Sequence, residues 1–161
     1  PLEIANAYGT FANGGTRYAP EMAAALVSPS GAVHEIAPKV VDRISYTPAN
    51  YQAILQGFEG AVQDPLGTAY AQFQGFPFSK WLVAGKTGTA TITHTSAPTS
   101  WFVAFGGPKG QPPKYVVCVE VDSAGYGDQG SAPAVRKIFD YLYAHGVGPV
   151  HPTRSAPVTA G

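Results

Sequence analysis

Trp81-Leu82-Val83-Ala84-Gly85-Lys86-Thr87-Gly88-Thr89-Ala90 is the stretch that decides how this sequence is read. Apolar residues of strand character run straight into a cation flanked by glycines and hydroxyls. A strand that ends its apolar run in Lys-Thr-Gly-Thr sets charge and donors where a ligand can lie against the backbone. The stretch marks a site without naming its ligand.

Three chemistries meet at Gly85-Lys86-Thr87. A phosphate loop of the form GxxxxGK[ST] needs glycine at position 80, where Lys80 stands. Residues 81–84 are also too bulky to curl into a nest of amides, so that chemistry is excluded. An edge strand blunted by lysine and glycine against sheet-to-sheet pairing is the second. The third is an anion-recognising strand, with Lys86 as point charge, Thr87 and Thr89 as hydroxyl donors, and Gly88 as the open backbone. Thr91, Thr93, Thr95, Ser96, Thr99 and Ser100 would continue a hydroxyl-rich lining. On the residues alone, the second and third both stand.

Outward from this stretch, 81–91, 100–106 and 115–122 form three consecutive strand candidates. Pro108-Lys109-Gly110-Gln111-Pro112-Pro113 supplies an antiparallel turn between the last two. Upstream, Leu2, Ile4, Ala5, Tyr8, Phe11 and Ala12 recur at helical spacing until Asn13-Gly14-Gly15 stops them. Residues 16–44 read as short strands cut by turns. Ser28-Pro29-Ser30-Gly31 joins a hairpin of 21–27 with 32–36. Thr47-Pro48 is an N-cap with proline at the first helical position. The helix face that follows is Tyr51, Ile54, Leu55, Phe58, Ala61 and Val62, ended by Asp64-Pro65. A glycine-rich stretch, 123–130, leads into a last helix with Val135, Ile138, Phe139, Leu142 and Tyr143 on its face, stopped by Gly146. This order gives an α+β fold, an antiparallel sheet with packed helices. Residues 1–148 are expected to form the domain piece, and 149–161, rich in Pro, Ser, Thr and Ala, a disordered tail.

Composition narrows the function. Lys plus Arg and Asp plus Glu number 10 each, so no global field draws nucleic acid or an anionic membrane. Cys118 is the single cysteine, which excludes an intrachain disulfide and CxxC metal sites. Within its strand it reads as a buried, inert thiol. His34, His94, His145 and His151 are scattered without metal-ligand spacing, so no metal or cofactor is expected. Asp122, Asp128 and Tyr126 read as parts of a polar loop that could border a cleft. No apolar run reaches the length of a membrane span. The start at Pro1, without an initiator methionine, suggests a fragment or a processed product.

Lys86-Thr87-Gly88-Thr89-Ala90 resembles the third motif of the penicillin-binding proteins, whose set is S-x-x-K, an S-D-N-like element and K-T-G. The neighbourhood agrees. Pro1 to Tyr8 with Phe11-Ala12-Asn13-Gly14-Gly15 resembles the preceding helix and turn of these transpeptidases. Ser100-Trp101-Phe102-Val103-Ala104-Phe105 resembles the adjacent strand, and Ala132 to Ile138 the closing helix. The resemblance covers 1–146 and is closest to the monofunctional class B enzymes. Within these, the elongation type is favoured, and division-type relatives share much of the pattern.

The resemblance implies the C-terminal part of a transpeptidase domain of the penicillin-binding protein and serine β-lactamase kind. It implies serine acyl transfer between peptidoglycan stem peptides, and acylation by β-lactams. Lys86 would raise the positive potential and hold the hydroxyl of the second motif. Thr87 and Thr89 would bind the terminal carboxylate, and the backbone N–H of Thr89 would be an oxyanion donor beside Gly88. The implied location is the outer face of the bacterial cell membrane, through an N-terminal helix beyond this chain, with cell-wall synthesis proteins as potential partners. One departure is large. No Ser is followed three residues later by Lys, and no S-x-N occurs. A missing N-terminal portion must then carry the nucleophile, and this chain alone should not acylate. The alternative is a non-catalytic module that binds peptidoglycan or protein on the same half-fold.

Overall fold

The computed structural model describes residues 1–91 and 97–146. The chain enters through α1 (Leu2–Ala12), which buries Phe11 and Ala12 and leaves Leu2 and Ile4 exposed. Asn13 ends it by bending its side chain forward, so that Oδ1 accepts from the amides of Gly15 at 3.1 Å and Thr16 at 2.8 Å. Four short strands follow: β1 (Thr16–Tyr18), β2 (Ala25–Val27), β3 (Val33–Glu35) and β4 (Val40–Arg43). β2 and β3 make the expected hairpin in shorter form, turned where Gly31 donates to the Ser28 carbonyl at 2.9 Å. β1 pairs with β4 across that hairpin, a non-local match that local patterning does not encode.

Helix α2 (Pro48–Gln63) starts as its sequence dictates: Thr47 Oγ1 accepts from the Asn50 amide at 3.2 Å, and Pro48 occupies the first turn. A single turn, α3 (Tyr70–Phe73), follows it. Three long strands come next, β5 (Trp81–Ala90), β6 (Thr99–Pro108) and β7 (Tyr115–Val121), antiparallel in the order β5-β6-β7. The chain closes through α4 (Ser131–His145) at Gly146, whose φ of 59° stops the helix.

Strand alternation divides the core into two layers. Trp81 and Val83 of β5 join Phe102 and Ala104 of β6 under Val135 and Phe139 of α4. On the opposite face, Leu82, Ala84 and Phe105 meet Phe11 of α1 and Phe58 of α2. Phe11 is the hub there, stacked on Tyr51 at 4.7 Å and edge-on to Phe58 at 5.4 Å. Phe73, Phe102, Phe105 and Phe139 are fully buried. Each such side chain is worth about 1.5–3 kcal/mol of hydrophobic free energy. Arg136 of α4 pins α3 to this layer: it donates to the carbonyls of Gln72 and Gln74 at 3.0 and 2.9 Å and lies 5.4 Å from the Phe76 ring centroid. The fold is the expected α+β arrangement. The expected domain end at 148 and the tail lie outside the described residues.

Candidate active site

Among the described residues β5 is hydrogen-bonded within its sheet to β6 alone, so it is an edge strand there. Its register fixes which peptide groups face outward. Trp81 lies opposite Pro108, which has no amide to give, while the Lys109 amide donates to the Lys80 carbonyl at 2.9 Å. Bonded and non-bonded pairs alternate along an antiparallel ladder. Positions 82, 84, 86, 88 and 90 therefore exchange bonds with β6, and Trp81, Val83, Gly85, Thr87 and Thr89 turn their N–H and C=O groups away from it. The Thr89 amide points out of the sheet edge. Lys86 Nζ donates to the Thr87 carbonyl at 2.9 Å, which brings the ammonium to the same edge.

Beside this edge lies a groove of about 510 Å³. Ile4, Ala7 and Tyr8 of α1 form one wall, 86–90 of β5 the other, and Trp101 and Val103 of β6 the floor. Alternation sends Lys86, Gly88 and Ala90 toward α1, and Thr87 and Thr89 toward α4. Gly88 is small for a reason: a Cβ there would stand 3.0 Å from Trp101 Cβ. Burial, and secondly the neighbouring Cys118, push the Tyr8 phenol above its ordinary value, so Tyr8 adds no charge at neutral pH. Among the described lining residues, Lys86 carries the charge. Thr87 is half-buried, and its Oγ1 lies 2.9 Å from Oγ1 of Thr68, on the turn between α2 and α3.

The hydroxyl-rich lining expected beyond β5 does not extend to Thr99 and Ser100. Ser100 is buried on the α4 side, and Thr99, opposite Ala90, is buried on the other face. Thr99 donates to Asp122 Oδ1 at 3.2 Å. Ser100 Oγ donates to the Tyr126 carbonyl at 2.9 Å and accepts from the Ser131 amide at 2.9 Å. Ser100 shares the face of Phe102 and Ala104 by strand alternation, so its side chain is directed at α4 rather than at solvent. Thr91 is exposed. Thr93, His94, Thr95 and Ser96 lie outside the described residues. The ring of Tyr126 is exposed, and its loop packs on the α4 face rather than over the groove. Sequence reasoning missed Thr68, Tyr8 and Trp101 as site neighbours. For Trp101 the signal was its register opposite Gly88, which needs the pairing to be seen.

An exposed Lys-Thr-Gly strand edge thus lies beside a groove, on a sheet packed between α1 and α4. Residues 1–140 match the family described as the penicillin binding protein transpeptidase domain, and the chain belongs to that family. It is 28% identical over 170 residues to penicillin-binding protein PbpB of Mycolicibacterium smegmatis, covering 98% of this chain and 26% of that protein. It is 29% identical to the peptidoglycan D,D-transpeptidase MrdA of Haemophilus influenzae, over 88% of this chain and 23% of that protein. The chain thus spans about a quarter of the length of these relatives. Among solved structures it resembles penicillin-binding protein A of Mycobacterium tuberculosis in its imipenem acyl-enzyme complex, with a TM-score of 0.69 and 27% identity over 89% of this chain and 30% of that one. It also resembles penicillin-binding protein 3 of Mycobacterium tuberculosis complexed with aztreonam, with a TM-score of 0.65 and 28% identity over 92% and 36%.

Proposed function

We propose that this chain is the substrate-aligning part of a serine-type peptidoglycan D,D-transpeptidase, and that a preceding portion of the same enzyme supplies S-x-x-K and S-x-N. The observation that carries this is the outer edge of β5, where the Thr89 amide turns away from β6 and the Lys86 ammonium sits on the Thr87 carbonyl, beside an open groove. The serine oxygen bonds to the penultimate D-alanine carbonyl carbon, and the bond to the terminal D-alanine nitrogen breaks. An amine of a second stem peptide then displaces the serine and forms the cross-link. β-Lactams, similar to D-Ala-D-Ala, acylate the same serine. Relatives solved with imipenem and aztreonam support that part of the reading.

In this reading the groups on β5 divide the work. The Thr89 N–H donates to the oxyanion, with the amide of the serine as second donor; one such donor is typically worth about 10²–10³ in rate. Thr87 and Thr89 hydroxyls hold the terminal carboxylate, and Lys86 supplies the positive potential and holds the hydroxyl of the second motif. Gly88 keeps the strand open to the substrate. The enzyme works at the outer face of the bacterial cell membrane, anchored outside this chain; no helix among the described residues is long and apolar enough to cross a membrane. Intact-mass measurement after incubation with benzylpenicillin tests the proposal. The chain alone stays unmodified, and the domain completed with the S-x-x-K portion gains one adduct on that serine. An adduct on the chain alone contradicts the division of labour. A completed domain that takes no adduct favours a binding module.

A further inference from the structure

The turn that carries Thr68 is built as a rigid platform. The Gly67 amide donates to the Asp64 carbonyl at 2.7 Å, and the Ala69 amide to the Ala61 carbonyl of α2 at 2.9 Å. Ala69 is fully buried, and a Cβ at Gly67 would lie 2.2 Å from the Gly60 carbonyl oxygen, so this turn sits directly on the end of α2. Bonds on both sides fix the backbone of Thr68, and its exposed hydroxyl meets Thr87 at 2.9 Å.

A threonine hydroxyl has one proton to give and can accept as well. If Thr87 gives its proton to Thr68, it has none for an anion and turns a lone pair toward it. If Thr68 donates to Thr87, the Thr87 proton is free to point at an anion, and its donation is strengthened by the bond it accepts. We propose that Thr68 is a positioning residue: in the liganded enzyme its hydroxyl donates to Thr87 Oγ1 and thereby sets Thr87 as donor to the ligand's carboxylate. This rests on the assignment of Thr87 to that carboxylate.

The test measures acylation rate constants of the completed transpeptidase domain with benzylpenicillin and with its methyl ester, which lacks the carboxylate charge. Thr68→Val is expected to slow acylation by benzylpenicillin about fivefold, the factor one neutral hydrogen bond is worth, and to leave the ester rate nearly unchanged. Thr68→Ser restores the benzylpenicillin rate. Equal slowing with both ligands, or no slowing with either, overturns the proposal. Thr87→Val separates the two levels. If it fails to distinguish acid from ester, the carboxylate assignment itself falls. If it distinguishes them and Thr68→Val does not, only the role of Thr68 falls.

Discussion

Gly127 stands against the backbone of Gly88: a Cβ at position 127 would come within 2.6 Å of the Gly88 carbonyl oxygen and 2.9 Å of its nitrogen. The same Cβ would lie 2.4 Å from the Trp101 carbonyl oxygen. The missing Cβ of Gly127 thus lets the loop before α4 pack against the Lys-Thr-Gly strand on the face opposite the groove.

Gly127→Ala must therefore displace either the loop or β5. Overpacking of this kind costs about 1–3 kcal/mol. The expected outcome in the completed domain is a lower melting temperature, with β-lactam acylation slowed about tenfold or more because Gly88 and Thr89 shift. Acylation at the wild-type rate would show that the loop moves and the strand does not.

Ser100 joins β6 to α4 through reciprocal bonds, since Ser131 Oγ also donates to the Ser100 carbonyl at 2.8 Å. Ser100→Ala strips a fully buried joint and leaves the Ser131 amide without its partner, while the Tyr126 carbonyl keeps the Gln129 and Gly130 amides. The expected loss is about 2 kcal/mol. It is read as a lower urea midpoint at unchanged m-value. A midpoint that does not move contradicts the joint.

Cys118 gives a pH dependence with a definite sign. Burial, its largest influence, raises the thiol above its ordinary value of 9.0. The unfolded chain then loses this proton at lower pH than the folded one. Its contribution to stability is complete below about pH 9 and fades as pH rises through the higher folded value. Tyr8 and Tyr51, raised chiefly by burial from 10.0, extend the loss upward. Denaturant titrations from pH 7 to 11 should show stability falling in that range, with the earliest part absent in Cys118→Val. A flat profile contradicts the burial assigned to these groups.

What could be read from the residues followed the range of the interactions. The long strands around Lys86 were legible because each is a continuous apolar run bounded by turn residues. Thr47-Pro48 and Gly146 mark helix ends by local chemistry alone. The one-turn α3 was not legible, because four residues carry no period and Phe73 is held by Arg136 from far along the chain. Ser100 was misread for a related reason: hydroxyls in a strand look alike until the face each one occupies is known. Thr68 and Gly127 touch the site from 19 and 39 residues away from their partners, so only the folded chain reveals them.

The central claim is that the edge of β5 aligns the substrate through Lys86, Thr87 and Thr89. Its most direct test is the second-order rate of benzylpenicillin acylation in the completed domain carrying Lys86→Ala, with thermal melting as a control on folding. Lys86 is exposed and its bond to Thr87 lies at the surface, so the variant should keep the wild-type melting temperature. The account predicts acylation slowed by about two orders of magnitude, the range typical of a lost charge-stabilising donor. Acylation at an undiminished rate in the folded variant would contradict it.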